Sequence, residues 1–193
     1  MTPASNAPWR VLALVGSLRA KSLNRALYQA ATELAPPTLS LTLFDRLREI
    51  PPFDDDATSE PPAVIADLKA ALAGADAVLI VTPEYNYSVP GALKNAIDWV
   101  SRPPATTPLR GKPAMLMGVS TGMSGTMRAQ LHWRQVFVFT QTPVMLQPEV
   151  QIPRAAERFN EVPELTDAST RDLVQRSLVA FAEWIPRFVA PRA

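Results

Sequence analysis

Short apolar runs alternate along this chain with longer stretches in which apolar residues return at helical spacing. Val11-Leu12-Ala13-Leu14-Val15 and Ala77-Val78-Leu79-Ile80-Val81 are unbroken apolar runs. Such runs suit central strands of a parallel sheet, buried on both faces. Leu23, Ala26, Leu27 and Ala30 share one face of a helix, as do Leu93, Ile97 and Val100. The full pattern predicts strands over about 10–15, 39–44, 76–82, 113–119 and 142–146. It predicts helices over about 22–35, 61–74, 89–101, 124–139 and 167–190. That alternation implies an α/β fold, a doubly wound five-stranded parallel sheet with helices on both faces. Strand order 2-1-3-4-5 fits, with its switch point between strands 1 and 3. Prolines at 36–37, 51–52, 61–62, 103–104 and 108 fall at predicted boundaries. The 193 residues fit a single domain, 1–193, with residues 1–9 expected to be flexible. Residues 147–166 are the least regular and are expected to form a surface excursion.

Open sheets of this kind bind ligands beyond the carboxyl ends of their strands, beside the switch point. The two loops there are the most distinctive in the chain. Gly16-Ser17-Leu18-Arg19-Ala20-Lys21-Ser22-Leu23-Asn24-Arg25 leaves the first strand and enters a helix. Exposed N–H groups and the positive end of the helix dipole favour an anion there. Ser17, Ser22 and Asn24 add side-chain donors, and Arg19 adds a permanent charge. Neither G-x-x-x-x-G-K-S/T nor G-x-G-x-x-G is present, which weighs against the usual ATP, GTP and dinucleotide loops. A hydroxyl-rich loop with one glycine suits the single terminal phosphate of a mononucleotide.

The loop after the third strand reads Thr82-Pro83-Glu84-Tyr85-Asn86-Tyr87-Ser88 and enters a helix at about Pro90. It is rich in hydrogen-bonding groups but carries one charge, Glu84. That suits a flat polar ring better than a phosphate or a metal. Pro83 stiffens the chain leaving the strand. Tyr85 and Tyr87 offer flat surfaces with polar tips. Asn86 tolerates unusual backbone angles. The ordinary readings stand beside these: Arg19 as a solvated charge, Asn86 as a turn residue, Tyr85 as packing. Ile97 and Trp99 read as core. The Glu84 side chain is expected to face solvent or a neighbouring chain.

Composition narrows the classes. A net charge of +1 gives no basic field for nucleic acid. Cysteine is absent, which excludes disulfides and thiol nucleophiles and disfavours structural zinc. No uncharged apolar run approaches the ~18 residues of a membrane helix, so no membrane partner is expected, and the simplest location is the cytoplasm. His132, the single histidine, reads as structural. Asp54, Asp55 and Asp56 read as a solvated loop, without further ligands at calcium-loop spacing. Ser17 lacks the G-x-S-x-G context of a hydrolase nucleophile.

Several stretches together resemble the NAD(P)H-dependent FMN reductase family, a flavodoxin-like group that includes quinone, azo-dye and chromate reductases. They are Gly16-Ser17-Leu18-Arg19 with Ser22-x-Asn24-Arg25, and the run from Thr82 to Ser88 with Pro90-Gly91-x-Leu93-Lys94-Asn95-x-Ile97-Asp98-Trp99. Ile50-Pro51-Pro52-Phe53-Asp54-Asp55-Asp56, Leu109-x-Gly111-Lys112-Pro113 and Leu131-x-x-x-Arg134-Gln135 are also similar. The likeness spans roughly 10–150; the loop 120–126 has fewer glycines than the family pattern, and little after Gln151 matches.

The resemblance implies a flavodoxin-like fold and FMN as cofactor, with NADPH or NADH as co-substrate. It implies a phosphate held by Ser17, Arg19, Ser22, Leu23 and Asn24. The ring would lie on Pro83, Glu84, Tyr85 and Asn86, with Ser120 and Gly122 closing the far side. No side chain is expected to be catalytic, because the flavin carries the chemistry. The partner implied is a small-molecule electron acceptor, and the assembly a homodimer or homotetramer; Glu84, Arg102, Trp133 and Phe137 are interface candidates by their expected position beyond the strand ends. The alternatives are a flavodoxin-type electron carrier, disfavoured by the neutral charge, and a flavin-free regulatory module on the same fold.

Overall fold

The computed structural model describes residues 7–190. Trp9–Val15 (β1), Leu39–Leu43 (β2), Ala77–Val81 (β3), Ala114–Val119 (β4) and Val150–Ile152 (β5) form one parallel sheet. Its order is β2-β1-β3-β4-β5, the flavodoxin-like arrangement, with the switch between β1 and β3. Leu23–Leu34 (α1) and Ala168–Trp184 (α5) cover one face; Ala63–Gly74 (α2), Gly91–Val100 (α3) and Met127–Thr140 (α4) cover the other.

Strand side chains alternate between the two layers. Val11, Ala13 and Val15 pack with Ala26, Leu27, Leu178 and Phe181. Leu12 and Leu14 pack with Ile65, Leu68, Leu93 and Ile97. Period-two alternation between two apolar layers explains why Val11–Val15 of β1 and the whole of β3 are apolar. Ile97 and Trp99 are core residues as expected, and the Trp99 indole N–H donates to the Pro51 carbonyl at 3.0 Å.

Three expectations need correction. The fifth strand is Val150–Ile152, not 142–146. Val144 makes an isolated bridge to Ala114. The Met145 carbonyl, which would carry the ladder on, accepts instead from Arg134 Nη1 at 3.1 Å, and the chain returns to β4 through alternating Val150-Gln151-Ile152. Residues 147–166 are therefore not a surface excursion: beyond β5 they contribute Phe159 and Leu165 to the α1/α5 core. The last helix ends at Trp184, and a 3-10 turn, Ile185–Arg187, carries Pro186. Of the segment 1–9, residues 1–6 lie outside the described residues, and Trp9 is in β1 opposite Leu39.

Candidate functional site

The loop after β1 is held at its two ends and open between them. The Gly16 N–H donates to the Val81 carbonyl at 2.9 Å. A Cβ at Gly16 would stand 2.7 Å from the Pro90 ring, so only glycine passes between the loops. At the other end the Ser22 hydroxyl caps α1, accepting from the Arg25 N–H at 3.2 Å. The backbone N–H groups of 17–24 have no partner among the described residues. Unpaired donors at a helix start, with the positive dipole end behind them, form an anion cradle. Asn24 is buried and braces this loop against the end of β4, donating from Nδ2 to the Val119 carbonyl at 3.0 Å and accepting from its N–H at 3.1 Å. One amide hydrogen of Asn24 is left over. Arg25 pairs with Asp45, and their hydrogen bond holds the Asp45 carboxyl below its ordinary range.

The loop after β3 is fastened throughout. Tyr85 N–H donates to Ser88 O at 3.1 Å and Ser88 N–H to Tyr85 O at 2.9 Å, closing a two-residue turn. Both central residues are left-handed, Asn86 at φ 50° and Tyr87 at φ 64°. Asn suits that region; a bulky Tyr does not, and such backbone strain of roughly 1–3 kcal/mol persists where the surroundings impose it.

The Glu84 carboxylate supplies much of that constraint, and its position corrects the expectation that it faces solvent or another chain. Its side chain is 8 % exposed. It accepts from the backbone N–H of Arg128 at 2.9 Å and of Ala129 at 3.2 Å, and from Arg128 Nη1 at 2.6 Å. The N-cap residue of α4, Thr126, makes no side-chain cap. Glu84 caps that helix from another loop, where a negative charge meets the positive dipole end. Arg128 then lies 3.7 Å over the Tyr87 ring. Arg128 was not among the residues expected at the site. A lone carboxylate in an otherwise uncharged loop does not by itself name its partner, which lies 44 residues away.

The loop after β4 is tied to the sheet edge. Ser120 N–H donates to Ile152 O, Ala155 N–H to Ser120 O, and Arg154 N–H to Gly122 O, at 3.0, 3.1 and 3.0 Å. Gly125 is left-handed at φ +59° and passes so close to Gln151 that a Cβ would meet its carbonyl carbon at 2.8 Å. Met123 projects from this loop, 71 % exposed.

The three loops converge. Every expected site residue from Ser17 to Tyr85, together with Ser120, lines one cleft of about 120 Å³. Asn86 and Gly122 line an adjoining, wider cleft of about 580 Å³, which shares Glu84, Ser120 and Thr121 with the first. A larger concavity of about 760 Å³ lies between α1 and residues 163–171, away from the strand ends. Unpaired donors, not size, single out the smaller cleft as the candidate site. The narrow part suits a phosphate and the wide part a flat ring, so the residues fit a flavin mononucleotide.

Trp133 and Phe137 are 0 % and 1 % exposed and stack on each other in the core, so neither is an interface residue. The Trp133 N–H donates to the Thr82 hydroxyl at 3.0 Å, directly behind the ring loop. The outward side of α4 carries Leu131, Val138 and Phe139 instead. Arg102 lies 3.7 Å from Asp55. His132 Nδ1 meets the Ser88 hydroxyl at 2.9 Å. Among the described residues no group of three or more His, Asp or Glu could hold a metal, and no helix is long and apolar enough to cross a membrane.

Comparison with known proteins agrees with this geometry. The model of the NADPH-dependent FMN reductase family matches residues 9–157. The chain belongs to that family. An NAD(P)H-dependent FMN reductase of Pseudomonas aeruginosa is 45 % identical over 180 residues, covering 92 % of this chain and 96 % of the relative. A quinone reductase of Escherichia coli is 40 % identical over 181 residues, covering 92 % and 96 %. The solved structure of FerB, a flavoenzyme NAD(P)H:(acceptor) oxidoreductase from Paracoccus denitrificans, superposes with a TM-score of 0.85 at 36 % identity, covering 93 % of this chain and 98 % of that one. This reductase is thus an oxidoreductase of the FMN and NAD(P)H class.

Proposed function

We propose that this reductase holds FMN across the loops 17–24, 83–88 and 120–125 and passes reducing equivalents from NADPH or NADH to quinones or similar small acceptors. Azo dyes, chromate and free flavin are within the proposed range, since each needs just an open ring face. The observation that carries this reading is the row of unpaired N–H groups over 17–24, opening into the same cleft as Tyr85. When bound, FMN supplies hydride and electron transfer that no protein side chain performs.

The chain's own part is binding and orientation. Unpaired donors of 17–24, with Arg19, would hold the phosphate. The N–H groups of Glu84, Asn86 and Tyr87 have no partner among the described residues and are free to face the ring edge, while that of Tyr85 is engaged in the turn. Tyr87 and Met123 border the wide cleft through which donor and acceptor would enter. One open cleft serving both substrates in turn supports a ping-pong sequence. We place the reaction in the cytoplasm and the active form as a homodimer or homotetramer, with the exposed apolar residues of α4 as candidates for the contact.

Two measurements test this. Heat release of the cofactor should yield FMN; FAD alone, or no flavin after reconstitution, would overturn the binding reading. Initial rates of NADPH oxidation with a quinone should give parallel double-reciprocal lines, and intersecting lines would require separate sites.

A further inference from the structure

The backbone of residues 17–21 makes a single hydrogen bond among the described residues, and it comes from a side chain on another element. Arg48 donates from Nη2 to the Leu18 carbonyl at 2.5 Å. Arg48 sits on the 3-10 turn Leu47–Glu49, which follows β2. That turn is well anchored. Leu47 is buried in the α2/α3 layer, Phe44 N–H donates to Ala13 O at 3.0 Å, and Arg46 pairs with Glu49 at 2.7 Å and Asp67 at 2.6 Å. Arg48 lines an adjoining cleft of about 450 Å³ on the β2 side of the loop and is not among the residues lining the phosphate-sized cleft. Arg19 lines both.

From this we infer that Arg48 is a positioning residue for the FMN phosphate, acting through the Leu18–Arg19 peptide. The inference builds on the proposed role of 17–24 as the phosphate site. The Leu18–Arg19 peptide is trans, so its C=O and N–H point in opposite directions. Drawing the Leu18 carbonyl toward Arg48, which lines the β2-side cleft and not the phosphate-sized one, turns the Arg19 N–H away from Arg48, and Arg19 itself borders the phosphate-sized cleft. A loop whose own donors must stay unpaired for a ligand cannot orient itself by internal hydrogen bonds. An outside donor on a rigid turn does that work without occupying the site. Without Arg48 the peptide is free to rotate and present its carbonyl to the phosphate, replacing an attraction with a repulsion.

The test compares FMN with riboflavin, which has the same ring and no phosphate. Apoprotein of the wild type, Arg48→Ala and Arg48→Lys is titrated with each by flavin fluorescence quenching. Arg48→Ala should weaken FMN about ten- to a hundredfold, the weight of a hydrogen bond to an ion, and leave riboflavin unchanged. Arg48→Lys, which keeps one donor within reach of a carbonyl, should recover part of the loss. The loss should persist at about 0.5 M salt, where long-range attraction between exposed charges is screened. The apoprotein melting temperature should be unchanged, since Arg48 is exposed. Unchanged FMN affinity, equal losses for both flavins, or a loss that disappears in salt would each overturn the inference. A wild type that binds FMN no tighter than riboflavin would instead overturn the phosphate reading of 17–24.

Discussion

The loops after β1 and β3 meet at one cleft but are built on opposite plans. The first, 17–24, leaves its donors unpaired and takes its shape from outside contacts. The second, 83–88, is closed by its own turn, capped onto α4 by Glu84 and backed by the Trp133–Thr82 contact. The difference follows from what each would hold. An anion is bound by donors that have nothing else to bond. A flat ring is bound by a surface whose shape is fixed beforehand, even at the cost of a left-handed tyrosine. Substitutions in the second loop should therefore act first on stability, and those in the first loop on affinity.

The largest expected effect is on Glu84. Glu84→Ala removes the acceptor of two helix N–H groups and leaves Arg128 without its carboxylate. A fully buried broken pair costs about 3–5 kcal/mol; with Arg128 partly exposed the expectation is roughly 2–3 kcal/mol. Denaturant unfolding of the apoprotein measures it, and a loss below about 0.5 kcal/mol, the range of an ordinary surface change, would remove the contrast.

Arg19→Ala should do the reverse. FMN affinity should fall about ten- to a hundredfold while stability stays within about 0.5 kcal/mol. Equal FMN affinity would place Arg19 in solvent. Tyr85→Ala comes next. It should slow donor and acceptor half-reactions together, by about severalfold, because both substrates would pass the same loop. A stopped-flow change confined to the acceptor step would point to two sites.

The smallest net effect is expected at Tyr87. Tyr87→Gly relieves a left-handed residue, worth about 1–2 kcal/mol, and loses the Arg128 stack, worth about 0.5–1 kcal/mol. Stability should change by less than about 1 kcal/mol, with glycine's greater freedom in the unfolded chain absorbing the difference. A loss of several kcal/mol would mean that the turn is not strained.

What the sequence made legible follows the same division. Continuous apolar runs disclosed β1 and β3, and local motifs disclosed the two loops, because both signals lie within a few residues. The loop after β1 could be read as an anion cradle since its chemistry is its own backbone. The fastening of the second loop was not readable, because the partner of Glu84 lies 44 residues away. The place of the fifth strand is not legible locally, because 142–146 and 150–152 both carry short runs of strand-forming apolar residues and pairing with β4 decides between them. The burial of Trp133 and Phe137 is not legible in the sequence because the phase of α4 is ambiguous: apolar residues lie on its inward and outward sides alike. The contact of Arg48 with the Leu18 carbonyl leaves no sequence pattern, since it joins a side chain to a backbone group 30 residues away.

The division of labour between the loops can be seen directly in amide spectra. The apoprotein, uniformly labelled with ¹⁵N, is titrated first with riboflavin and separately with FMN. Amides of 83–88 should shift with both ligands, and amides of 17–24 should shift with FMN alone. If the 17–24 amides stay still with FMN, or move equally with riboflavin, the phosphate is held elsewhere and the account of this cleft is wrong.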